Sequence, residues 1–269
     1  MNSEKKQILL SNDDGIDSPG LWAAAEALSE LGYVTVAAPL DHMSATGRGF
    51  AKDSDGRITK KKLTIKGQEW DIYAVGGSPS QSVTHGILEV VPQRPDLVVA
   101  GINYGENFAT DVTYSGTVGA AIEAASLGIP ALAMSLQLLH EDYASIHQDV
   151  DFSAAAYFTR FFAAKLLMKQ MLDDVDVINV VVPDGATEQT PWKVTRLARM
   201  RYFMPYVVRT GKPEDMGYIT SNILKDEEIP PDNDIYTVRV EKMVAVTPLS
   251  LDMTSRVAPS FLDALLRAK

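Results

Sequence analysis

The amino-acid sequence predicts an α/β fold, a Rossmann-like, doubly wound and mostly parallel sheet with a β-hairpin arm and a strand-rich C-terminal extension. Short apolar runs alternate with segments of helical periodicity through residues 1–185, and the links between them are short. This alternation is typical of βαβ units, whose strands pair in parallel through right-handed crossovers. We therefore assign residues 1–185 to the core and residues 186–269 to the extension.

The core prediction starts from one strand–helix–strand unit. An apolar run at residues 7–11 precedes helical periodicity at 20–31, which ends at Gly32, and a second apolar run follows at 33–38. The same alternation then continues along the chain. It predicts helices at 79–90, 117–127 and 152–172, and strands at 96–100, 131–136 and 175–182.

The hairpin arm and the extension rest on different signals. Two alternating runs between residues 52 and 75 flank Asp55-Gly56, a dipeptide suited to a tight turn, so we expect the hairpin to reverse there. Helix signals weaken after residue 183. The pattern there predicts strands at 191–200, 235–240 and 244–248, and a polar loop at 211–234.

Composition and charge exclude several classes of protein. Of the 269 residues 46% are hydrophobic and 22% are charged, as in soluble globular proteins, and the net charge of −10 disfavours binding along a nucleic-acid polymer. The absence of cysteine excludes disulfides, thiolate zinc sites, iron–sulfur clusters and a cysteine nucleophile. Residues 1–6 are short and polar, and the apolar stretch at 154–172 is interrupted by charges. We therefore expect no secretory signal, no membrane partner and a cytoplasmic location.

Two adjacent acids follow the first predicted strand. Asp13 and Asp14 repel each other and resist removal from water unless a cation compensates them. Mg²⁺ or Mn²⁺ would supply that charge, because hard divalent ions prefer carboxylate, amide and water oxygens. In an isolated motif the better interpretation is a turn in which an aspartate caps the next helix, so the context has to decide.

Three further polar clusters follow predicted strands. Residues 101–107 combine glycines with Asn103 and Asn107, and residues 114–119 place Ser115 and Thr117 at a helix start, where unpaired N–H groups favour anions. Ser44 lies in the loop after the second strand. A self-stabilised turn and an ordinary helix cap remain equal alternatives for the first two clusters. All lie at strand carboxyl ends, where α/β sheets bind ligands, as a metal and phosphate pair would require.

The remaining basic side chains show no ligand pattern. His42, His85, His140 and His147 lack metal-ligand spacing and are excluded as ligands, although His42 lies in the loop that carries Ser44 and could touch a substrate. Residues 60–62 are lysines, which we interpret as a solvated face of the hairpin.

The sequence resembles the SurE (survival protein E) family of nucleotidases. The resemblance rests on ILLSNDDGIDSPGL, VAAPLDHMSATG, WDIYAVGGSPSQSVTHG, RPDLVVAGINYGEN, DVTYSGTVGAAIEAASLGIPALAMS, INVVVPDG and VTPLSLDMT, which occur in the family's order across most of the chain. The loop PLDHMSATG departs from the family's usual PDRNRSG: Ser44 matches, but the basic neighbours are missing. Residues 209–222 also lack an aromatic pattern often found there, which leaves the base preference open.

The resemblance implies a Rossmann-like core and an extension exchanged between protomers of a homodimer or homotetramer. It implies divalent-metal-dependent removal of phosphate from nucleoside 5′- and 3′-monophosphates, with short polyphosphate as a further substrate in some members. One cation per subunit would be held by Asp13, Asp14, Ser44 and Asn103. Phosphate would be contacted by Ser115, Gly116 and Thr117, with Asn107 nearby.

The expected mechanism is attack by a water whose pKa the cation lowers, while donors at the helix start stabilise the developing charge. Attack by Asp13 itself is disfavoured because aspartyl-phosphate phosphatases commonly carry a second aspartate two positions later, where this chain has Gly15. A nucleotide-sugar transferase and a non-enzymatic, metal-dependent nucleotide or phosphate sensor remain alternatives. A nicotinamide dehydrogenase is a weaker one, since no G-x-G-x-x-G follows the first strand.

Overall fold

The computed structural model describes residues 5–65, 68–138 and 150–268. Its strands are β1 (Lys6–Ser11), β2 (Gly32–Pro39), β3 (Ile58–Ile65), β4 (Gln68–Val75), β5 (Leu97–Tyr104), β6 (Ala131–Leu136), β7 (Val177–Val182), β8 (Trp192–Val194), β9 (Phe203–Arg209), β10 (Gly217–Ile223) and β11 (Val244–Leu249). Its α-helices are α1 (Pro19–Ser29), α2 (Pro79–His85), α3 (Gly116–Ser126), α4 (Ser153–Met168), α5 (Asp234–Arg239) and α6 (Pro259–Arg267). A π-helical turn at Gly86–Val90 extends α2, and 3₁₀ turns lie at Ala109–Thr113 and Asp226–Glu228.

A nine-stranded sheet in the order β3-β4-β2-β1-β5-β6-β7-β11-β8 forms the centre of the molecule. The strands from β4 to β7 in that order pair in parallel, whereas β3 runs antiparallel to β4 and β11 antiparallel to β7. This arrangement confirms the predicted α/β class with a mostly parallel sheet. No helix within the described ranges has the length and apolar character needed to cross a membrane.

Helices cover the sheet on both faces. Ile8 and Leu10 of β1 pack with α1 and α4 on one face, while Leu9 packs with α2 and α3 on the other. Successive strand side chains point to opposite faces, so a strand covered on both sides must be apolar throughout. This requirement explains why the central strands are mostly apolar.

The order of the strands positions the ligand crevice. From β1 the chain moves to β2 on one side, and it later continues from β5 through β6 to β7 on the other side. The crossovers on either side of β1 and β5 therefore run in opposite directions, and the loops after these strands open a cleft at their carboxyl ends. The segments that carry Asp13, Asp14 and Asn103 meet at this cleft.

The hairpin is present, but the prediction that it turns at Asp55-Gly56 is wrong. Strand β3 begins after this dipeptide, and Ile65 of β3 lies opposite Gln68 of β4, so the two strands of the hairpin are joined between these two residues. Gly56 keeps the positive φ expected of it, and its N–H donates to Gly76 O at 3.2 Å. The left-handed conformation of Gly56 was predicted correctly, but this residue lies where the chain enters the hairpin and not at its turn.

The hairpin forms one edge of the main sheet because β4 pairs in parallel with β2. Its outer strand β3 carries the lysines at positions 60–62. Lys60 pairs with Asp71 and Lys62 with Glu69, both across the hairpin, and all four side chains are exposed. The prediction of a solvated charged face is confirmed.

The extension contributes both to the sheet and to a separate hairpin. β11 and β8 complete the sheet, while β9 and β10 pair only with each other. The strand predicted at 191–200 is shorter in the structure and covers Trp192–Val194, because β8 pairs with β11 over just three residues. The predicted polar loop at 211–234 contains β10, whose mixed and largely exposed side chains give no buried strand pattern.

The segment 235–240, predicted as a strand, is helical. Ile235 and Val238 are both fully buried, at the i, i+3 spacing of one helix face. Asn233 caps this helix, and its Oδ1 accepts from Tyr236 N at 3.0 Å. The apolar alternation suggested a strand, whereas the capping residue Asn233 just before the segment favours a helix.

Asp234 joins the extension to the core. Its buried carboxylate accepts hydrogen bonds from the N–H groups of Ala109 at 2.7 Å, Ala198 at 2.9 Å and Ile235 at 3.0 Å. Burial raises its pKa, and these bonds oppose that shift. Three segments distant in sequence therefore depend on one side chain.

Asp234→Ala should lower the free energy of unfolding by about 1–3 kcal/mol, because it leaves buried N–H donors without acceptors. Urea denaturation followed by circular dichroism measures this loss. Glu188→Ala, at an exposed acid, is the matched control and should stay within about 0.5 kcal/mol of wild type. Equal stability of Asp234→Ala and wild type would contradict the linking role.

Candidate functional site

Asp13 and Asp14 lie side by side at the carboxyl end of β1, where both side chains are almost withdrawn from water. Asp13 accepts a hydrogen bond from Thr117 Oγ1 at the start of α3. Asp14 Oδ2 accepts from the backbone N–H of Tyr104 at 3.0 Å. Elements from three places in the chain thus hold the two acids in fixed positions.

The electrostatics of this pair are unfavourable for two bare negative charges. Burial raises the pKa of Asp13, and its hydrogen bonds with Thr117 lower it in part. Burial, followed by the charge of Asp13, raises the pKa of Asp14 to about 7. Among the described residues, the basic side chain that approaches the two acids is His42, whose Nδ1 lies 3.6 Å from Asp14 Oδ1. A cation at this position would relieve both effects.

The two acids do not perform the turn and capping roles that were the alternative interpretation. The N-cap of α1 is Ser18, and Asn12 stabilises the turn by donating from Nδ2 to Gly15 O at 2.9 Å. Asn12 Oδ1 is buried and has no hydrogen-bond partner within the described ranges. Neither Asp13 nor Asp14 is therefore needed to stabilise the turn or to cap α1.

The start of α3 lies against Asp13. A Cβ on Gly116 would come within 2.7 Å of Asp13 Cβ and Oδ2, so glycine permits this close approach. Thr117 is fully buried and is bound to Asp13. Ser115 Oγ accepts from Val118 N at 3.1 Å, so the alternative of a helix cap is confirmed for this residue. Its hydroxyl proton can still be donated to a ligand.

The end of β5 and the loop after it contribute two amide side chains. Asn103 donates from Nδ2 to Gly105 O at 2.7 Å, which leaves its carbonyl oxygen as the atom suited to a metal. The backbone O of Asn107 accepts from Asn179 Nδ2 at 3.0 Å. The side-chain Nδ2 of Asn107 is buried with no partner among the described residues, so it can donate a hydrogen bond to a ligand.

Ser44 belongs to the crevice loop, residues 40–57, between β2 and β3. Its hydroxyl is hydrogen-bonded to His42 Nε2, and the opposite ring nitrogen of His42 faces Asp14. The sequence excluded His42 as a metal ligand and left open a contact with substrate. Its position between Asp14 and Ser44 could not be found from spacing, because it depends on how the loop folds back. His140 and His147 lie outside the described residues.

The donor set fits a hard divalent cation better than zinc. No group of three or more His, Cys, Asp or Glu side chains able to hold a metal occurs in the part of the chain that the structure describes. Two carboxylates would instead be completed by neutral oxygens from Asn103, Ser44 and water, which suits Mg²⁺ or Mn²⁺. The unpartnered Asn12 Oδ1 marks the same region as rich in oxygen acceptors.

Comparison with known proteins shows which family this chain resembles. The family model described as "Survival protein SurE" matches residues 8–204. The chain is 43% identical over 253 residues to "5'-nucleotidase SurE" of Thermococcus gammatolerans, covering 93% of this chain and 92% of that protein. It is 39% identical to the protein of the same name from Methanosarcina acetivorans, with 97% of both covered.

A solved structure agrees with these relatives. The crystal structure titled "Crystal Structure of Sure Protein from Aquifex aeolicus" superposes with a TM-score of 0.76 at 30% identity, covering 97% of this chain and 99% of that chain. The match therefore includes the extension as well as the core. By sequence and by structure, this chain belongs to the SurE family.

Proposed function

We propose that this protein is a nucleotidase that removes phosphate from nucleoside 5′- and 3′-monophosphates in a reaction that requires a divalent cation. The names of its relatives from Thermococcus gammatolerans and Methanosarcina acetivorans, "5'-nucleotidase SurE", support the activity. Short polyphosphate, which ends in the same phosphate group, is a second substrate class of the proposal.

One observation supports the metal requirement: two adjacent acids are buried together, and no Lys or Arg within the described ranges forms an ion pair with either of them. Among the described residues, the basic side chain that approaches the pair is His42, whose Nδ1 lies 3.6 Å from Asp14 Oδ1. Two buried carboxylates of equal sign destabilise each other unless a cation is bound. Mg²⁺ or Mn²⁺, one per subunit, suits Asp13, Asp14, Ser44 and Asn103 as ligands.

The residues around the acids have separable tasks in this proposal. Thr117 orients Asp13 through its hydroxyl, and the N–H of Tyr104 orients Asp14. The start of α3 offers the Ser115 hydroxyl and backbone N–H groups to the phosphate oxygens, where the helix dipole favours negative charge. Asn107 adds a donor that is already desolvated, so its bond to a phosphate oxygen costs little reorganisation.

The bound cation would supply polarisation of a phosphoryl oxygen and a lowered pKa for the attacking water. The chain itself fixes the carboxylates, aligns donors with the charge that develops on phosphate, and restricts access of bulk water to Asp13. The net charge of −10 repels long polyanions, so the substrate of the proposal is a small ester rather than a nucleic acid. A cytoplasmic location remains a prediction.

Phosphate release should depend on both the substrate class and the metal. We expect hydrolysis of 5′- and 3′-monophosphates, p-nitrophenyl phosphate and tripolyphosphate with Mg²⁺ or Mn²⁺, and loss of turnover in excess chelator that returning the metal reverses. A colorimetric phosphate assay measures both. Full hydrolysis after chelation would contradict the metal role. Sugar release from a nucleotide sugar with intact monophosphates would favour a transferase, and nanomolar binding without turnover would favour a sensor.

Asp13→Asn and Asp14→Asn should each reduce kcat/KM by at least about 100-fold, because loss of even an outer-shell partner costs metal sites about 10- to 100-fold. The fold should survive in both variants, as checked by circular dichroism. Asp17→Asn is the matched control, since this exposed aspartate lies in the same loop. A wild-type rate in either site variant would remove that residue from the mechanism.

We further propose that a second copy of this chain covers α6 and the β9–β10 hairpin. Phe261, Leu265 and Leu266 of α6 are each more than 70% exposed, and Ile219 of the hairpin is 75% exposed. Large apolar side chains grouped on one helix face are unfavourable in water and are typical of subunit interfaces. The exchange of the extension between protomers, implied by the family resemblance, would bury this surface in a homodimer or homotetramer.

The mass in solution tests this surface. Light scattering after gel filtration should give a dimer or tetramer for wild type, and Phe261→Ser with Leu265→Ser should shift it towards the monomer because the apolar contact is lost. Asp263→Ser, on the same helix, is the control and should retain the wild-type mass. A monomeric wild-type protein would contradict the proposal.

A further inference from the structure

The crevice loop is exposed at Ser44, so the position of this residue depends on how the loop is attached to the rest of the molecule. The N–H of Met43 donates to Asp13 O at 2.7 Å on one side of Ser44. On the other side, Gly47 N donates to Tyr114 O at 2.9 Å. A Cβ on Gly119 would come within 2.2 Å of Gly47 O, so α3 and the loop are in close contact.

One side-chain interaction reinforces these backbone bonds. Arg48 Nε donates to Glu123 Oε2 at 2.7 Å, and Arg48 Nη2 donates to Ser126 Oγ at 2.8 Å. The other carboxylate oxygen of Glu123 accepts from Thr84 Oγ1 of α2 at 3.1 Å. The Arg48–Glu123 pair therefore connects the crevice loop with α3, and Thr84 adds α2 to the same network.

Glu123 is buried and Arg48 is partly exposed, and this difference strengthens the ion pair between them. Glu123 is 5% exposed, while the Arg48 side chain is about half exposed. Arg48 is the basic side chain that pairs with Glu123 within the described ranges. A buried carboxylate that loses its cation becomes an uncompensated charge, so Glu123 holds Arg48 in place more strongly than an exposed partner would.

Both ends of this pair lie close in sequence to the site. Arg48 is four residues after Ser44, and Glu123 is seven residues after Gly116, or about 10 Å along the helix at 1.5 Å per residue. The pair does not touch the acids and carries no chemistry of its own. It connects the segment with the hydroxyl ligand of the proposed metal to the helix whose start faces Asp13.

We infer that Arg48 is a positioning residue, whose ion pair with Glu123 holds the crevice loop against α3 and thereby sets the place of Ser44, which lies across His42 from Asp14. The inference rests on the proposed function in so far as Ser44 serves the metal. Arg48 is not assigned a catalytic role, since its guanidinium is engaged by Glu123 and Ser126 and makes no contact with Asp13 or Asp14 among the described residues. Its effect reaches the site through the loop backbone.

Two measurements that do not depend on turnover test the inference. Calorimetric titration with Mn²⁺ alone should give about 10- to 100-fold weaker binding in Arg48→Ala than in wild type, the loss typical of outer-shell partners. Hydrogen–deuterium exchange of the peptide covering residues 40–51 should be faster in the same variant. Raising the Mn²⁺ concentration should restore much of the turnover, because the acids remain intact.

Three further variants separate positioning from general stability. Glu123→Gln should reproduce the Arg48→Ala result, because the ion pair is lost while Thr84 keeps an acceptor. Arg48→Lys should fall between wild type and Arg48→Ala, since lysine keeps the charge but cannot bond both Glu123 and Ser126 in the same fork. Arg57→Ala is the control, because this arginine pairs with Asp55 on the open surface and should match wild type.

Wild-type Mn²⁺ affinity and wild-type loop exchange in Arg48→Ala would overturn the inference. Should Arg48→Ala not fold, Arg48→Lys and Glu123→Gln decide it in the same two measurements, and wild-type values in both would overturn it equally. If the wild-type protein binds no Mn²⁺, the proposed metal role fails. The exchange of residues 40–51 still decides whether Arg48 holds the loop.

Discussion

Two neighbouring carboxylates are kept out of water at the end of the central strand, and most contacts around the cleft accommodate that charge. Thr117 bonds to Asp13, Tyr104 donates to Asp14, and the close approach of α3 requires glycine at position 116. The crevice loop then closes over them from the β2 side through Met43. A parallel sheet suits this purpose because its strands bring loops from distant parts of the chain to one edge.

The core of the fold was predictable because its signals are local. Strands covered on both faces are apolar without interruption, and helices such as α3 show their period and their cap within a dozen residues. The extension lacks such signals: β9 and β10 are exposed, and the short apolar run of α5 suits a strand as well as a helix. Its helical form depends on Asn233 and on the burial of Ile235 and Val238 together.

Some residues of the candidate site were likewise predictable from local sequence, and others were not. Asp13 and Asp14 follow an apolar strand and Asn103 lies at the end of another, so the rule that ligands bind at strand ends predicts that they lie close together without a structure. The place of His42 between Asp14 and Ser44 required the path of the crevice loop. Arg48 and Glu123 are 75 positions apart, and nothing in the local pattern of either residue indicates a partner.

The lysines of β3 affect how molecules can associate as well as solubility. This strand is the outer border of the sheet, where open backbone N–H and C=O groups could recruit a strand from another molecule. Lys60 and Lys62, held by acids on β4, surround that border with paired charges that an incoming strand would have to desolvate. At the opposite border, β8 offers only three residues. Continuation of this nine-stranded sheet into a neighbouring molecule is thereby discouraged at both of its borders.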